Sequence, residues 1–364
     1  MINNIIFSQC KPNVKEVYKK IFENVRISCD DALVLYQDAD LASLSFMSSF
    51  VKEKLHSKKV YFVKNYHIEP TNICIHNCKF CSFSERISGQ GWSHTAEQML
   101  QEVKQLSKEI NELHIVGAVY PDYDLDFYCN LLSDIKKLRP DIHIKAFSAV
   151  EIDFLIKHSE LSISQTIKKL IDAGLDSIPG GGAEIFDSEI RNQICPSKTD
   201  AKQWLLIHEE AHKLGLSTNS TMLYGFFETY EHRVQHMNEL RKLQDITNGF
   251  NAFIPLKFKN SNNEFSHIEE ISVVEEMRNY AVARLFFDNI PHLKVYWPMT
   301  GIENSLTALR YGADDFDGTI EESTKIYEMA GSVSNPSISA ESLSEMLQKE
   351  GYVAVERDAM YNEI

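Results

Sequence analysis

An eightfold alternation limits the fold more than any other feature of the chain. From Val60 onward, short apolar runs ("VYFVKNYHIEP", "LHIVGAV", "IHIKAFSAV", "LDSIPGGG", "STNSTMLYG", "FNAFIPL", "LKVYWP" and "ADDFDG") alternate with amphipathic stretches such as "TAEQMLQEVKQLSKEI", "QTIKKLIDAGL" and "AKQWLLIHEEAHKLG". Apolar runs of this length bounded by turn residues read as buried strands, and three- and four-residue apolar spacing reads as helix. Eight strand–helix units close into an α/β (β/α)8 barrel of the TIM type. An open doubly wound sheet would need a reversal of strand order and usually a GxGxxG turn, and neither is present. The 364 residues, 43% of them hydrophobic, suffice for one such barrel. The expected organisation is an N-terminal helical extension over 1–58, the barrel over 59–320, and a helical segment over 321–364 packed on it. The stretch "KNSNNEFS" reads as an exposed barrel loop.

Lys+Arg 37 against Asp+Glu 52 gives a net charge of −15. Such a chain repels phosphate backbones and acidic membranes, so nucleic acid and membrane partners are not expected. The N-terminus lacks a basic start followed by a sustained apolar core, and no window reaches the ~18 apolar residues of a membrane span. A cytoplasmic location follows as the expectation. Of the seven cysteines, Cys10, Cys29, Cys129 and Cys195 are scattered, while Cys74, Cys78 and Cys81 crowd into one loop after the first strand, which suits a reduced compartment and a metal better than disulfides.

Three soft ligands leave one position open. Structural zinc sites usually show two separated ligand pairs, so zinc here would need His67 or His76 to complete it. The spacing Cys-x3-Cys-x2-Cys, with Phe80 just before the last cysteine, resembles the cluster loop of the radical S-adenosylmethionine superfamily. The resemblance implies a 4Fe-4S cluster held by Cys74, Cys78 and Cys81. Its fourth iron takes the amino and carboxylate groups of S-adenosylmethionine, and a 5′-deoxyadenosyl radical is produced inside a barrel that shields it. A thiolate-bound cluster poised at very low potential suits one-electron cleavage of a sulfonium bond.

From about residue 60 to 361 the chain is similar to the aminodeoxyfutalosine synthase family. The resemblance rests on "HIEPTNIC", "CKFCSFSER", "AGLDSIPGGGAEIF", "TMLYG", "FNAFIPLKF", "DNIPHLKVYW", "DDFDGT" and "VERDAMY". The cyclic dehypoxanthinylfutalosine synthases and deazaflavin-forming synthases share the glycine-rich turn but differ at "HIEPTN" and "IPLKF". The implied reaction adds the adenosyl group to the enol-ether double bond of 3-[(1-carboxyvinyl)oxy]benzoate. Rearrangement and loss of a carboxyl group as CO2 or bicarbonate then give 6-amino-6-deoxyfutalosine and methionine, on the route to menaquinone. A flavodoxin or ferredoxin is the expected electron donor. Two positions depart from the pattern: Ala118 stands where a glycine is expected, and Phe226 where a histidine is.

Further candidates lie at the expected strand ends. Gly180, Gly181 and Gly182 form a tight turn that also offers bare backbone to a ligand, with Glu184 aimed at a ribose hydroxyl or the ammonium group of the cosubstrate. Arg191 is a candidate for a carboxylate, or a surface ion pair. Glu151 either binds the ribose or starts a helix. His67 and Glu69 are either a buried pair or substrate contacts, and Tyr224 is expected to point inward, its hydroxyl either holding the substrate or satisfying a neighbour; Glu184 and Tyr224 are the catalytic candidates. The substrate's two carboxylates call for cations, with Lys145, Arg191 and His292 in view. A rival reading comes from "HEEAH", residues 208 to 212, which matches the zinc-peptidase pattern with His232 or His236 as third ligand. Against it, Trp204, Ile207, Ala211 and Leu214 make an apolar face with His208 and His212 on its flank, as on an outer barrel helix.

Overall fold

The structure, a computed structural model, describes residues 7, 9–86, 89–318, 329–331 and 338–364, with residue 86 in its backbone alone. Helices Pro12–Phe22, Cys29–Asp38 and Leu41–His56 precede the first strand. The strands are β1 (Lys59–Phe62), β2 (Asn65–Ile68), β3 (Ile73–Cys74), β4 (Glu85–Arg86), β5 (Glu112–Ile115), β6 (His143–Ala146), β7 (Ser177–Ile178), β8 (Ser217–Tyr224), β9 (Phe250–Lys257), β10 (His292–Tyr296), β11 (Asp315–Asp317) and β12 (Val353–Glu356). Ten of them form one sheet in the order β12-β1-β11-β10-β9-β8-β7-β6-β5-β2, and every pairing in it is parallel.

β1 and β2 are two halves of one bent strand, separated only by Val63 and Lys64. The first half pairs with β11 at Tyr61↔Asp315, and the second pairs with β5 from Asn65↔Glu112 to Ile68↔Ile115. The two ends of the hydrogen-bonded series therefore meet in one stretch of chain, and eight strand positions run round a parallel barrel. Each corresponds to one of the eight apolar runs. Strands buried on both faces lose the polar–apolar alternation of a half-exposed sheet, which is why β8 and β10 are buried at nearly every position.

The intervening helices start where side chains satisfy their first free N–H groups. Thr95 with Gln98, Ser148 with Glu151 and Ser162 with Gln165 make capping boxes, while Asp124, Asp187 and Asp200 cap singly. Helix Ile163–Ala173 stops at Gly174, whose φ of 119° favours glycine. Among the described residues no helix is long and apolar enough to cross a membrane.

Of the C-terminal stretch read as helical, 321–328 and 332–337 lie outside the described residues. Beyond them stands one helix, Ala340–Lys349. The chain then does something its periodicity does not announce: β12 lies parallel to β1, from Lys59↔Val353 to Phe62↔Glu356. Arg357 follows, buried, with its guanidinium on Asp315 at 2.7 Å and over the Tyr361 ring at 4.1 Å.

Candidate active site

The three-cysteine loop leaves the barrel after β2. β3 and β4 pair across its ends, at Ile73↔Glu85 and Cys74↔Arg86. Three neighbouring loops pin the turn between them. The Ile75 N–H donates to Val119 O (3.0 Å), the Lys79 N–H to Ile194 O (2.8 Å), and the Ser82 hydroxyl to Ser261 O (2.6 Å). Cys74, Cys78 and Cys81 are free thiols, half-buried, and line one cavity with Phe80, Ala118 and Ser148. Burial pushes the Cys74 and Cys78 thiols above the ordinary range, so a bound metal must supply the charge that makes them thiolates. The N–H groups of His76 and Ser84 point at the sulfurs of Cys74 and Cys81, each at 3.4 Å.

A single tetrahedral zinc, with Zn–S near 2.3 Å, sets its sulfurs about 3.8 Å apart. Among the described residues, no group of three that includes these cysteines has its ligand atoms within 4.8 Å of one another. The one trio that does is His56, His292 and Asp314. There the Arg284 guanidinium sits on Asp314, and His292 Nδ1 is 2.6 Å from the same carboxylate, so the trio is a hydrogen-bonded network around a fixed cation.

The glycine turn after β7 lines the barrel interior, which meets the cysteine cavity at Ser148 and Lys198. A Cβ at Gly180 would stand 2.7 Å from the Asn219 carbonyl of β8, and Gly182 takes φ +87° with Val150 in the way of any side chain. Gly181 differs, since a Cβ there would meet only Ser148 at an ordinary 3.6 Å. Packing thus requires two of the three glycines, and the third leaves bare backbone facing the cavity. Glu184, in left-handed conformation at φ 49°, pairs with the Lys198 ammonium. Burial opposes the charge on Lys198, yet the Glu184 carboxylate holds its pKa above the ordinary lysine value. Lys198 lies 5.6 Å over the Phe80 ring and lines both the cysteine cavity and the barrel interior. Sequence reasoning missed Lys198. It stands in the loop "CPSK" after a short helix, and only its pairing with the left-handed Glu184 sets it apart.

The barrel interior is a cavity of about 260 Å³ that shares Gly117, Ser148 and Lys198 with the cysteine cavity. Alternate strand positions line it, as the two-residue period of a strand requires. Asn65 and His67 come from β2, Glu112 and His114 from β5, Lys145 from β6, and Lys294 from β10. The His67 and His114 rings meet edge to face at 4.5 Å, and burial keeps both neutral, with His67 held down to about 4. Lys145 donates to Glu112 at 2.6 Å, and Lys294 to Asp317 at 2.9 Å. Val116, Pro179, Ile254 and Leu256 supply the apolar wall. Glu69, next in the alternation after His67, is buried just past the strand end.

Other expected site residues stand elsewhere. Tyr224 does not point inward. Asn219 and Thr221 of β8 line the cavity, so Tyr224 falls in the opposite phase, fully buried against the outer helices with Arg233 5.1 Å from its ring. Arg191 faces no ligand space, because its guanidinium is committed to the carbonyls of Ala183, Ile185 and Thr199 and staples the glycine turn. Glu151 is the capping-box partner of Ser148 and also accepts the Gly117 N–H at 3.2 Å; its pKa is raised to about 7 by burial. His292 is held in the Asp314 network. Ala118, in place of a glycine, is buried on the cysteine cavity wall, and Phe226, in place of a histidine, stacks on Phe258 at 5.1 Å. In "HEEAH", His208 Nδ1 and His212 Nε2 both sit on the Thr218 hydroxyl, at 2.9 and 2.8 Å, behind β8. His236 is on the Thr221 carbonyl and His232 on Thr229, so no three-histidine zinc set forms among the described residues.

Comparison with known proteins adds three findings. Residues 68–240 match the model of the radical SAM superfamily, and 247–363 match that of the CofH/MqnC C-terminal region. The chain is 39% identical to an aminodeoxyfutalosine synthase of Thermus thermophilus, over 97% of this chain and 96% of that protein. It is 37% identical to one of Streptomyces coelicolor (95% and 93%), and 31% identical to a cyclic dehypoxanthine futalosine synthase of the same organism (97% and 90%). Among solved structures, methylornithine synthase matches with a TM-score of 0.74 at 14% identity, over 93% of this chain and 97% of that one, which is a likeness of fold.

Proposed function

Because the chain belongs to the radical SAM superfamily, with aminodeoxyfutalosine synthases among its relatives, we propose that it is an aminodeoxyfutalosine synthase of menaquinone biosynthesis. The observation that carries this reading is the 39% identity over nearly the whole of both chains. The superfamily works with a 4Fe-4S cluster and S-adenosylmethionine, and the residues present fit both. Three thiols on one pinned loop face one cavity, they are spaced too widely for a single ion, and two backbone N–H groups point at their sulfurs.

In this reading Cys74, Cys78 and Cys81 hold three irons, and the fourth is left to the amino and carboxylate groups of S-adenosylmethionine. When bound, the cluster supplies the electron that breaks a sulfonium carbon–sulfur bond, and S-adenosylmethionine supplies the adenosyl group. The chain's own part is placement. Gly181 lets the cosubstrate approach the backbone, Phe80 shields the thiols, and the paired charges of Glu184 and Lys198 meet its polar ends. Arg191 and Glu151 act behind them, fixing the glycine turn and the Gly117 strand end. The barrel cavity receives 3-[(1-carboxyvinyl)oxy]benzoate against His67 and Glu69 and keeps water from the transfer. The adenosyl group ends on the vinyl carbon, methionine leaves, and after rearrangement a carboxyl group departs as CO2 or bicarbonate together with a proton and the electron first supplied, giving 6-amino-6-deoxyfutalosine. A small flavodoxin or ferredoxin in the cytoplasm provides the electron.

Anaerobic incubation of the reconstituted protein with S-adenosylmethionine, dithionite and the enolpyruvyl benzoate, followed by mass spectrometry, tests this. The expected product contains adenosine and benzoate in one molecule. Free 5′-deoxyadenosine together with a cyclised product from dehypoxanthinylfutalosine would instead place the chain with the cyclic synthases, to which it is also similar.

A further inference from the structure

The far end of the barrel cavity holds more polar chemistry than the proposed reaction has used. Lys145 on β6 and Lys294 on β10 come from the third and seventh of the eight strand positions, opposite one another across the barrel, and both line the cavity. Neither lines the cysteine cavity, so both stand away from the cluster loop. Each ammonium spends one of its three donors on a carboxylate, Lys145 on Glu112 and Lys294 on Asp317. Arg357, from the last strand, stands 3.9 Å behind Asp317, so Lys294 shares its counter-charge with a second cation. Beside the lysines, His114 Nε2 is buried without a hydrogen-bond partner although its side chain lines the same space, and as an Nε2–H it has a donor to give. Buried polar atoms left without partners cost stability unless something that enters the cavity satisfies them. Ile254 stands level with Lys294, and further along the strands the wall turns apolar at Val116 and Leu256.

We propose that this floor is an anion subsite that seats the ring carboxylate of the aromatic substrate, with Lys294 and Lys145 as its cationic ligands and the His114 Nε2–H as a donor at its rim. The inference rests on the substrate reading given above and adds an orientation to it. The enolpyruvyl group carries the vinyl carbon that must face the cosubstrate at the cysteine end. The ring then lies along the apolar wall, and its meta carboxylate reaches the floor. Specificity for a benzoate over an uncharged arene comes from Lys294 and Lys145, well away from the reacting bond.

The test is equilibrium titration of the cluster-loaded protein, with S-adenosylmethionine present, by two probes: 3-[(1-carboxyvinyl)oxy]benzoate and 2-phenoxyacrylate, which keeps the enol ether and lacks the ring carboxylate. The unaltered protein is expected to prefer the dicarboxylate on the order of 100-fold. The paired variant Lys294→Met with Asp317→Asn removes the cation without stranding a buried carboxylate, and should cut that preference below about tenfold. Lys294→Arg should restore most of it. If the paired variant does not fold or load iron, Lys145→Met with Glu112→Gln dismantles the opposite half, with the same loss expected. The subsite is overturned if the unaltered protein shows no preference, or if a folded, iron-loaded variant keeps it whole. Preference without any adenosyl–benzoate adduct by mass spectrometry would instead sink the assigned reaction and leave the subsite standing.

Discussion

At the scale of single residues, the site separates into groups that hold a ligand and groups that hold those groups. Cys78 is of the first kind, and Cys78→Ala should abolish both the iron content and the brown colour of the reconstituted protein together with turnover. Turnover surviving without iron would end the cluster assignment. The glycine turn separates within itself. Gly180→Ala drives a methyl into the β8 backbone and should cost about 3 kcal/mol in urea unfolding. Gly181→Ala has room, so stability should stay within about 1 kcal/mol while S-adenosylmethionine affinity falls about tenfold. If affinity is unmoved, the bare backbone at 181 serves the turn alone. The cysteine loop stood out because its spacing is itself the chemistry, while Glu151 was open between a ligand contact and a helix start, and its pairing with Ser148 came only with the structure. Tyr224 was not legible. The strand was evident, but its phase depends on which alternate residues face the axis, and a strand buried on both faces carries no polarity signal to tell them apart.

At the scale of elements, the last strand closes a defect that the first one makes. The break at Val63–Lys64 turns the second half of that strand to β5 and leaves the first half paired with β11 and β12. Arg357, brought in by β12, then answers the fully buried Asp315. Arg357→Met should cost about 3–5 kcal/mol, because it leaves a buried carboxylate without its cation. Adding Asp315→Asn should return most of the loss, which equilibrium denaturation of the single and double variants would show. Equal instability of the two would mean that the ion pair is incidental. The run "YVAVER" is too short to declare itself, and a parallel strand at the end of a chain has no local partner to predict, so the element stayed hidden in the sequence.

At the scale of the whole molecule, buried neutral histidines set the response to acid. Burial holds His67, His76 and His212 near 4 and His236 near 3, and His114 and His208 well below the ordinary value, against about 6.5 in an unfolded chain. Between pH 6.5 and 4.5 the unfolded state takes up these protons and the folded state does not, so stability falls with pH. Glu151, raised to about 7 by burial, keeps a proton that the unfolded chain has lost, and opposes the trend by one. The histidines outnumber it, so stability should fall on acidification by several kcal/mol per pH unit, at ~1.4 kcal/mol for each net proton. Urea midpoints at pH 7.5, 6 and 5 check it, and a flat or rising profile would refute it. The barrel as a whole was readable because eight buried strands repeat one signal. The charged floor was not, because Glu112, Lys145, Lys294 and Asp317 are scattered through the sequence and only ring closure gathers them.

That closure has a consequence for how the protein is made. β11 closes the ring on β1 at Tyr61↔Asp315, so the seam joins segments that lie far apart along the chain. Pairing across so long a stretch is slow to form, which puts closure late in folding. Until the seam closes, the cavity beside the thiol loop lacks one wall, so iron loading is expected to follow ring closure.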